Sequence, residues 1–370
     1  MSDCILITGG AGFIGSHLAV RLVREGYRVK VIDSLAEQVH GQTGWPPYLP
    51  ESVEKVHGDI RNFGQVREAL QGVDAVFHFA AAVGVGQSMY KINHYTDVNN
   101  RGTAVLLESL TKQPVKKLII ASSMSVYGEG CYRDSRGNIR CPAERNSDML
   151  RAGLFELYHD QEELQPMPTP ENKALSPSSI YALSKFDQER MGLMIGAAYA
   201  IPTTALRFFN IYGPYQSLSN PYTGVLAIFS SRLLNGRPPL IFEDGRQRRD
   251  FVSVHDVCEA CLLALESDQS DGEVFNIGSG NNYSIAEIAA KVADVLACPD
   301  VPPQIIGEYR VGDVRHCFAD IGKARDLLGY RPRVSLADGL EELAQWLQSQ
   351  QAVDRVEIMR RELSSRGLSL

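Results

Sequence analysis

The sequence has no apolar stretch long enough to cross a bilayer: the most apolar later run, residues 191–206, is interrupted by Gly192, Gly196 and Pro202. It does not open like a secretory leader either, because Asp3 stands where basic residues belong and glycines arrive before an adequate apolar region forms. A cytoplasmic protein with no membrane partner is expected. Cysteine is too sparse to staple a fold, with seven residues, an odd number, scattered through the chain. Positive charge is short as well: 37 Lys and Arg against 44 Asp and Glu leave a formal charge of −7. That balance provides no bulk attraction for nucleic acid, so a phosphate-bearing ligand must be held by a few placed arginines. There is no internal repeat and no long low-complexity tract. What remains is an ordinary globular mixture, 44% apolar and 22% charged over 370 residues, with room for one large domain or two smaller ones.

Short apolar runs at residues 4–8, 27–32, 75–79 and 117–121 read as strands, and residues 15–24, 62–70 and 96–110 have helical spacing. Such alternation implies an α/β protein with a parallel sheet covered on both faces. The expected division is a first domain over residues 1–207 and a smaller, interleaved C-terminal lobe over 208–350. Part of that lobe, 251–266, is expected to pack back on the first domain. Residues 351–370 read as a tail, from about Val353 a loose amphipathic helix. Between about 129 and 176 the alternation breaks into a long excursion with a proline cluster at Pro166, Pro168 and Pro170, the kind of segment that forms lids or disordered insertions.

Gly9-Gly10-Ala11-Gly12-Phe13-Ile14-Gly15 follows the first strand and opens a helix, with glycines spaced for a tight turn and close approach of a pyrophosphate. Asp33 ends the second strand. Its carboxylate suits ribose hydroxyls and repels a 2′-phosphate, which favours NAD over NADP; Ser34 and Leu35 beside it supply no cation. Further along, Tyr181 and Lys185 are four residues apart and share a helical face. A cation beside a phenol favours phenolate and so makes a general base.

With Gly58-Asp59-Ile60, His78-Phe79-Ala80-Ala81, Ser122-Ser123-Met124-Ser125-Val126-Tyr127-Gly128, Arg207-Phe208-Phe209-Asn210-Ile211-Tyr212-Gly213-Pro214, Arg249-Asp250-Phe251 and Asn276-Ile277-Gly278, these motifs run in order over residues 3–348. The chain resembles the extended short-chain dehydrogenase/reductases, specifically their nucleotide-sugar 4-epimerase branch. The resemblance implies a Rossmann-type doubly wound sheet with a substrate-binding lobe. It implies NAD contacts from Gly9, Gly12, Phe13, Ile14, Asp33, Asp59, Ile60, Phe79, Ala80, Asn99, Tyr181, Lys185 and Phe209. Ser123, Tyr181 and Lys185 would be catalytic, and Ser123, Ser125, Asn210, Arg249, Arg310 and Asp313 would hold a nucleoside-diphosphate sugar. Helices over 88–110 and 181–199 match the pair that forms a four-helix bundle between subunits in the family, implying a homodimer.

Departures narrow the chemistry. Sugar 4,6-dehydratases of the same family place Asp-Glu after the catalytic Ser or Thr, and this chain has Met124-Ser125. Without that acid pair the expected reaction is transient oxidation at C4, rotation of the ketone and reduction on its other face. Val83 replaces a lysine found in some galactose epimerases. Residues 85–90 and 213–222 and the long excursion are similar to dTDP-L-rhamnose 4-epimerases, with other dTDP- or UDP-hexoses open. A net NAD-dependent nucleotide-sugar dehydrogenase or reductase is one alternative, and a non-catalytic NAD-sensing protein another. No metal is expected. His255, Cys258 and Cys261 lack a second ligand pair and read as helix-face residues, and Cys131 and Cys141, even with His159 available, read as free thiols.

Overall fold

A computed structural model describes residues 2–41, 44–142 and 144–369. Its centre is a seven-stranded sheet of β1 (Cys4–Thr8), β2 (Arg28–Asp33), β3 (Glu54–His57), β4 (Ala75–His78), β5 (Lys117–Ser123), β6 (Thr203–Phe208) and β7 (Val274–Ile277). The order is β7-β6-β5-β4-β1-β2-β3, and every pairing is parallel. Chain order reverses between β1 and β4, and a crevice at such a switch point is where α/β sheets bind ligands. All five residues of β1 are buried, which is why that strand is a continuous apolar run rather than an alternating one.

Helix α1 (Phe13–Arg24) covers one face with Leu18, Ala19 and Leu22, and α2 (Ile180–Tyr199) packs beside β5. Ser179 starts α2 by accepting a hydrogen bond from the Ala182 amide. Gly192 allows the helix to approach the sheet, since a Cβ there would lie 1.8 Å from Cδ1 of Ile120. Helix α3 (Val254–Glu266) lies against α1 and buries Val257, Cys258, Ala260 and Cys261 in the same core as Ile5 and Leu18.

Beyond β6 the chain adds small strand pairs and a second core around Phe229, Ile288, Val292, Leu340 and Leu343. The sequence reading does not mark β3, β6 or β7; β3 and β7 are only four residues long, and β7 carries Asn276 within it. The helix expected over 96–110 opens with a wider π-type turn at Thr96–Arg101. Nor is the tail loose: its helix Val356–Ser364 buries Val356, Met359 and Leu363 with Leu240 and Phe242. The described residues of the excursion carry regular elements too. Its Cys131–Arg133 strand pairs with Ile139–Arg140 and Gln165–Met167, and a short helix, Ser147–Arg151, follows.

Candidate functional site

At the end of β1 the backbone takes a conformation that only glycine serves well. Gly9 has φ +71°, and a Cβ on it would stand 2.8 Å from the Ala80 amide nitrogen. Gly15 is as constrained, since its Cβ would meet the Gly9 carbonyl oxygen at 2.4 Å. No side chain caps α1 at Gly12, so its first-turn amides, those of Phe13 and Ile14 among them, are left for an anion, as at other uncapped helix starts. This cradle fits a dinucleotide pyrophosphate. Asp33 braces it, accepting hydrogen bonds from the Ala11 amide at 3.0 Å and the Leu35 amide at 2.9 Å. His40 also brings Nε2 to 3.6 Å from Asp33. Five residues beyond Leu35, it falls outside the immediate sequence neighbourhood. Arg28 and Lys30 do point elsewhere, Arg28 to the Ser2 carbonyl and Lys30 to Glu54 and the Gln71 carbonyl.

Around the crevice, Arg61 binds Asp59 through a 2.9 Å hydrogen bond and holds its carboxyl below the usual range. Ile60 fills the space left by Gly102, and Phe79 contacts the rings of Phe77 and Phe208. The Phe79 and Ala80 amides donate to Thr8 Oγ1 at 3.1 and 3.2 Å. Asn99, buried in the π-type turn, accepts from the Ala82 amide and donates to the Ala82 carbonyl and Ser184 Oγ. Phe209 is buried beside Tyr127 and donates its amide to the Ile277 carbonyl.

A neutral relay that sequence reasoning did not identify lies behind these residues. Thr103 donates to the Asn99 carbonyl at 2.6 Å, so its oxygen accepts from His78 Nε2 at 2.8 Å and from Gln188 Nε2 at 2.8 Å. His78 therefore carries its proton on Nε2 and accepts at Nδ1 from Thr8, 2.9 Å away. Burial, reinforced by Lys185, lowers its pKa to about 3 and keeps it neutral. Only the motif position of His78 hinted at this role.

Ser123 ends β5 and Tyr181 lies in the first turn of α2, near enough for the Ser123 side chain to act on the phenol. Ser123 Oγ also accepts from the Ser125 amide at 3.2 Å and the Ser125 hydroxyl at 2.9 Å. Lys185 follows four residues further along α2. Its Nζ donates to Gln188 Oε1 at 2.8 Å, and burial lowers its pKa to about 7 against the opposing pull of Glu189. Burial raises the Tyr181 pKa, and the Ser123 side chain opposes that. Four-residue spacing puts the two residues on one helical face, and Gln188 accepts from the Lys185 ammonium.

The residues expected to hold substrate are only partly gathered. Arg310 and Asp313 form an ion pair at 2.7 Å and line a cavity of about 240 Å³ with Glu144, Arg145, Ser147 and Leu150 of the excursion. Arg249 donates instead to the backbone carbonyls of Arg248, Val314 and Arg315. Asn210 has a buried Oδ1 with no hydrogen-bond partner among the described residues. Cys131 and Cys141 bring their sulfurs to 2.9 Å, His159 lies 3.6 Å from Asp160, and His255 meets Glu342 at 2.9 Å.

A sequence profile described as the NAD dependent epimerase/dehydratase family matches residues 5–278. The chain belongs to that family. NAD is accordingly the cofactor of this epimerase/dehydratase, in keeping with the cradle at Gly9–Gly15. The protein is 35% identical over 353 residues to a dTDP-L-rhamnose 4-epimerase of Burkholderia thailandensis, covering 93% of this chain and 94% of that one. Among solved structures it resembles a UDP-glucose 4-epimerase of Thermotoga maritima holding UDP-glucose, with TM-score 0.77, 32% identity, and 93% and 98% of the two chains covered. A Thermus thermophilus UDP-glucose 4-epimerase in complex with NAD matches with TM-score 0.75 and 29% identity over 94% of this epimerase/dehydratase and 99% of that chain. No helix among the described residues is long and apolar enough to cross a membrane.

Proposed function

We propose that this chain is an NAD-dependent nucleotide-sugar 4-epimerase, working as a cytoplasmic homodimer on dTDP-L-rhamnose or another dTDP- or UDP-hexose. The observation that carries the reading is the Ser123–Tyr181 contact at the end of β5, with the uncharged pair Met124 and Ser125 following it. The amides of Phe13 and Ile14, the carboxylate of Asp33 and the surfaces of Ile60, Phe79, Ala80 and Phe209 would hold NAD. When bound, NAD supplies reversible hydride acceptance from a sugar carbon.

Tyr181 takes the proton of the sugar 4-hydroxyl, and Ser123 hydrogen-bonds the carbonyl oxygen that results. Asn99 and Ser184 orient the start of α2 so that the phenol meets Ser123. With no carboxyl at residue 124 or 125, the chain has no acid there to expel water. The keto sugar turns about its diphosphate link, and Tyr181 returns the proton to the oxygen on the inverted centre. Arg310 and Asp313 grip the nucleotide, and Asn210 and Arg249 contribute on the sugar and diphosphate side.

Exposed Ile92, Leu183, Met194 and Tyr199 on the helices expected to form the subunit bundle support the dimer. Sedimentation tests it: a monomer at micromolar concentration counts against it. The reaction is tested by incubating the purified protein with a panel of nucleotide sugars and no added reductant. Interconversion of two 4-epimers without NADH release is expected, and stoichiometric NADH release with a keto or acid product would instead make it a net dehydrogenase.

A further inference from the structure

Arg145 lies in the middle of the excursion, yet its side chain is 95% buried, being 5% exposed. Its guanidinium joins three parts of the chain. Nε is 3.1 Å from Glu129 Oε1, at the root of the excursion, and Nη1 is 2.8 Å from Glu243 Oε1. Nη2 donates to the backbone carbonyl of Asp313 at 2.9 Å, a contact 168 residues away in sequence. The receiving turn is itself folded tightly. The Asp313 amide donates to the Arg310 carbonyl at 3.2 Å, the Arg310 Nε donates to the Asp313 carboxylate at 2.8 Å, and the Arg310 guanidinium lies 4.5 Å from the Phe242 ring centroid. Glu129 in turn accepts from the Arg315 amide at 2.7 Å, so it pins the strand that follows the same turn.

The Asp313 contact is a hydrogen bond and the two carboxylates are ion pairs, Nη1 having no hydrogen-bond partner among the described residues; a planar guanidinium presents charge and donors in three directions at once, and a lysine ammonium on a flexible stem does not. Glu129 keeps the Arg315 and His316 amides and Glu243 keeps the Arg315 guanidinium when Arg145 is lost, so what goes with Arg145 is its own hold on the Asp313 carbonyl. We propose that Arg145 is a positioning residue for the nucleoside-diphosphate end of the substrate. Through it, the excursion sets the Arg310–Asp313 turn and forms one wall of the 240 Å³ cavity. This inference rests on the reading that Arg310 and Asp313 grip the nucleotide. Arg145 touches neither the Ser123–Tyr181 pair nor the Gly9–Gly15 cradle, so its loss acts on substrate binding and leaves the chemical step.

The test uses the NAD-loaded enzyme and titrates it calorimetrically with UDP and dTDP, then measures KM and kcat with the best sugar from the panel. Arg145→Met is expected to weaken diphosphate binding and raise KM about tenfold or more, with kcat within about threefold and retained NAD unchanged. Arg145→Lys keeps the buried charge and gives up the fork, so it should recover part of the affinity. Unchanged binding in Arg145→Met, or a kcat loss at constant KM, overturns the proposal. If the methionine variant does not fold, the lysine variant decides: binding weaker by about threefold or more supports the proposal, and wild-type binding overturns it. Arg310→Ala separates the two readings. If it weakens binding and the Arg145 variants do not, positioning alone fails; if it too binds like wild type, the nucleotide site has been read wrongly.

Discussion

Behind the glycine turn, Thr8, His78, Thr103 and Gln188 pass neutral hydrogen bonds among β1, β4 and α2, whereas the excursion is held by charges. There Arg315, wholly buried, meets Glu156 at 2.6 Å, Glu243 at 2.8 Å and Asp244 at 2.7 Å, and Arg145 meets Glu129 and Glu243. The apolar resources of the two regions differ accordingly. The sheet region has a broad core around β1, while the excursion's own apolar cluster is Tyr132, Leu157 and Leu164. A segment with so little apolar surface cannot be anchored by burial alone, and buried ion pairs fix its register instead. Neutral groups suffice where packing already holds the elements in place.

The charged side should break hardest. Arg315→Met leaves three carboxylates facing one another and is expected to destabilise by about 3–5 kcal/mol. Chemical denaturation checks this, and a loss near that of a surface substitution would show that the ion network is ornamental. Tyr181→Phe leaves both networks intact. It should retain NAD and melt like wild type while turnover falls by about a hundredfold, on the order of 2.7 kcal/mol in the barrier. Near-normal turnover would remove Tyr181 from the chemistry.

His78→Asn attacks the neutral side and should cost about 1–3 kcal/mol at pH 7 through its unpaired neighbours. Acid unfolding separates the two regions further. His78 takes up its proton at 6.5 when unfolded and only near 3 when folded, so the folded state binds fewer protons between those values and stability falls as pH drops through them. Burial acts to raise the Glu156 carboxyl, but hydrogen bonds from His316 and Arg315 hold it at about 2, so its contribution is complete above 4.5 and is lost as pH falls from 4.5 toward 2. The His78 variant should therefore lose less stability than wild type between pH 6.5 and 4.5. Parallel curves over that interval would refute the assignment. The smallest effect is at the cradle's edge. Asp33→Ala removes the acceptor of the Ala11 amide and is expected to weaken NAD binding by about tenfold and narrow discrimination against NADP. Equal wild-type affinity for both dinucleotides would sink the role given to Asp33.

Residues 1–207 show why some of this was legible in advance. Gly9, Gly12 and Gly15, Asp33 at a strand end, and Tyr181 four residues before Lys185 answer local demands of backbone conformation and helical spacing, which a residue type at a fixed offset announces. The family and its NAD cofactor follow from such motifs, and the absence of an acid pair after Ser123 narrows the proposed reaction. The seventh strand, too short and too mixed for a period, did not announce itself.

By itself, then, the sequence determined the sheet-and-helix class and the dinucleotide turn and supplied the candidates for the reacting side chains, because each depends on neighbours within a few positions. Only the tertiary structure decided that Lys185 would reach Gln188, that His40 would stand by Asp33, and that Arg145 would reach Asp313 across 168 residues. The physical reason is that a buried charge or amide finds its partner through the packing of whole elements. An arginine in an irregular loop looks the same in sequence whether solvent or three distant acceptors surround it.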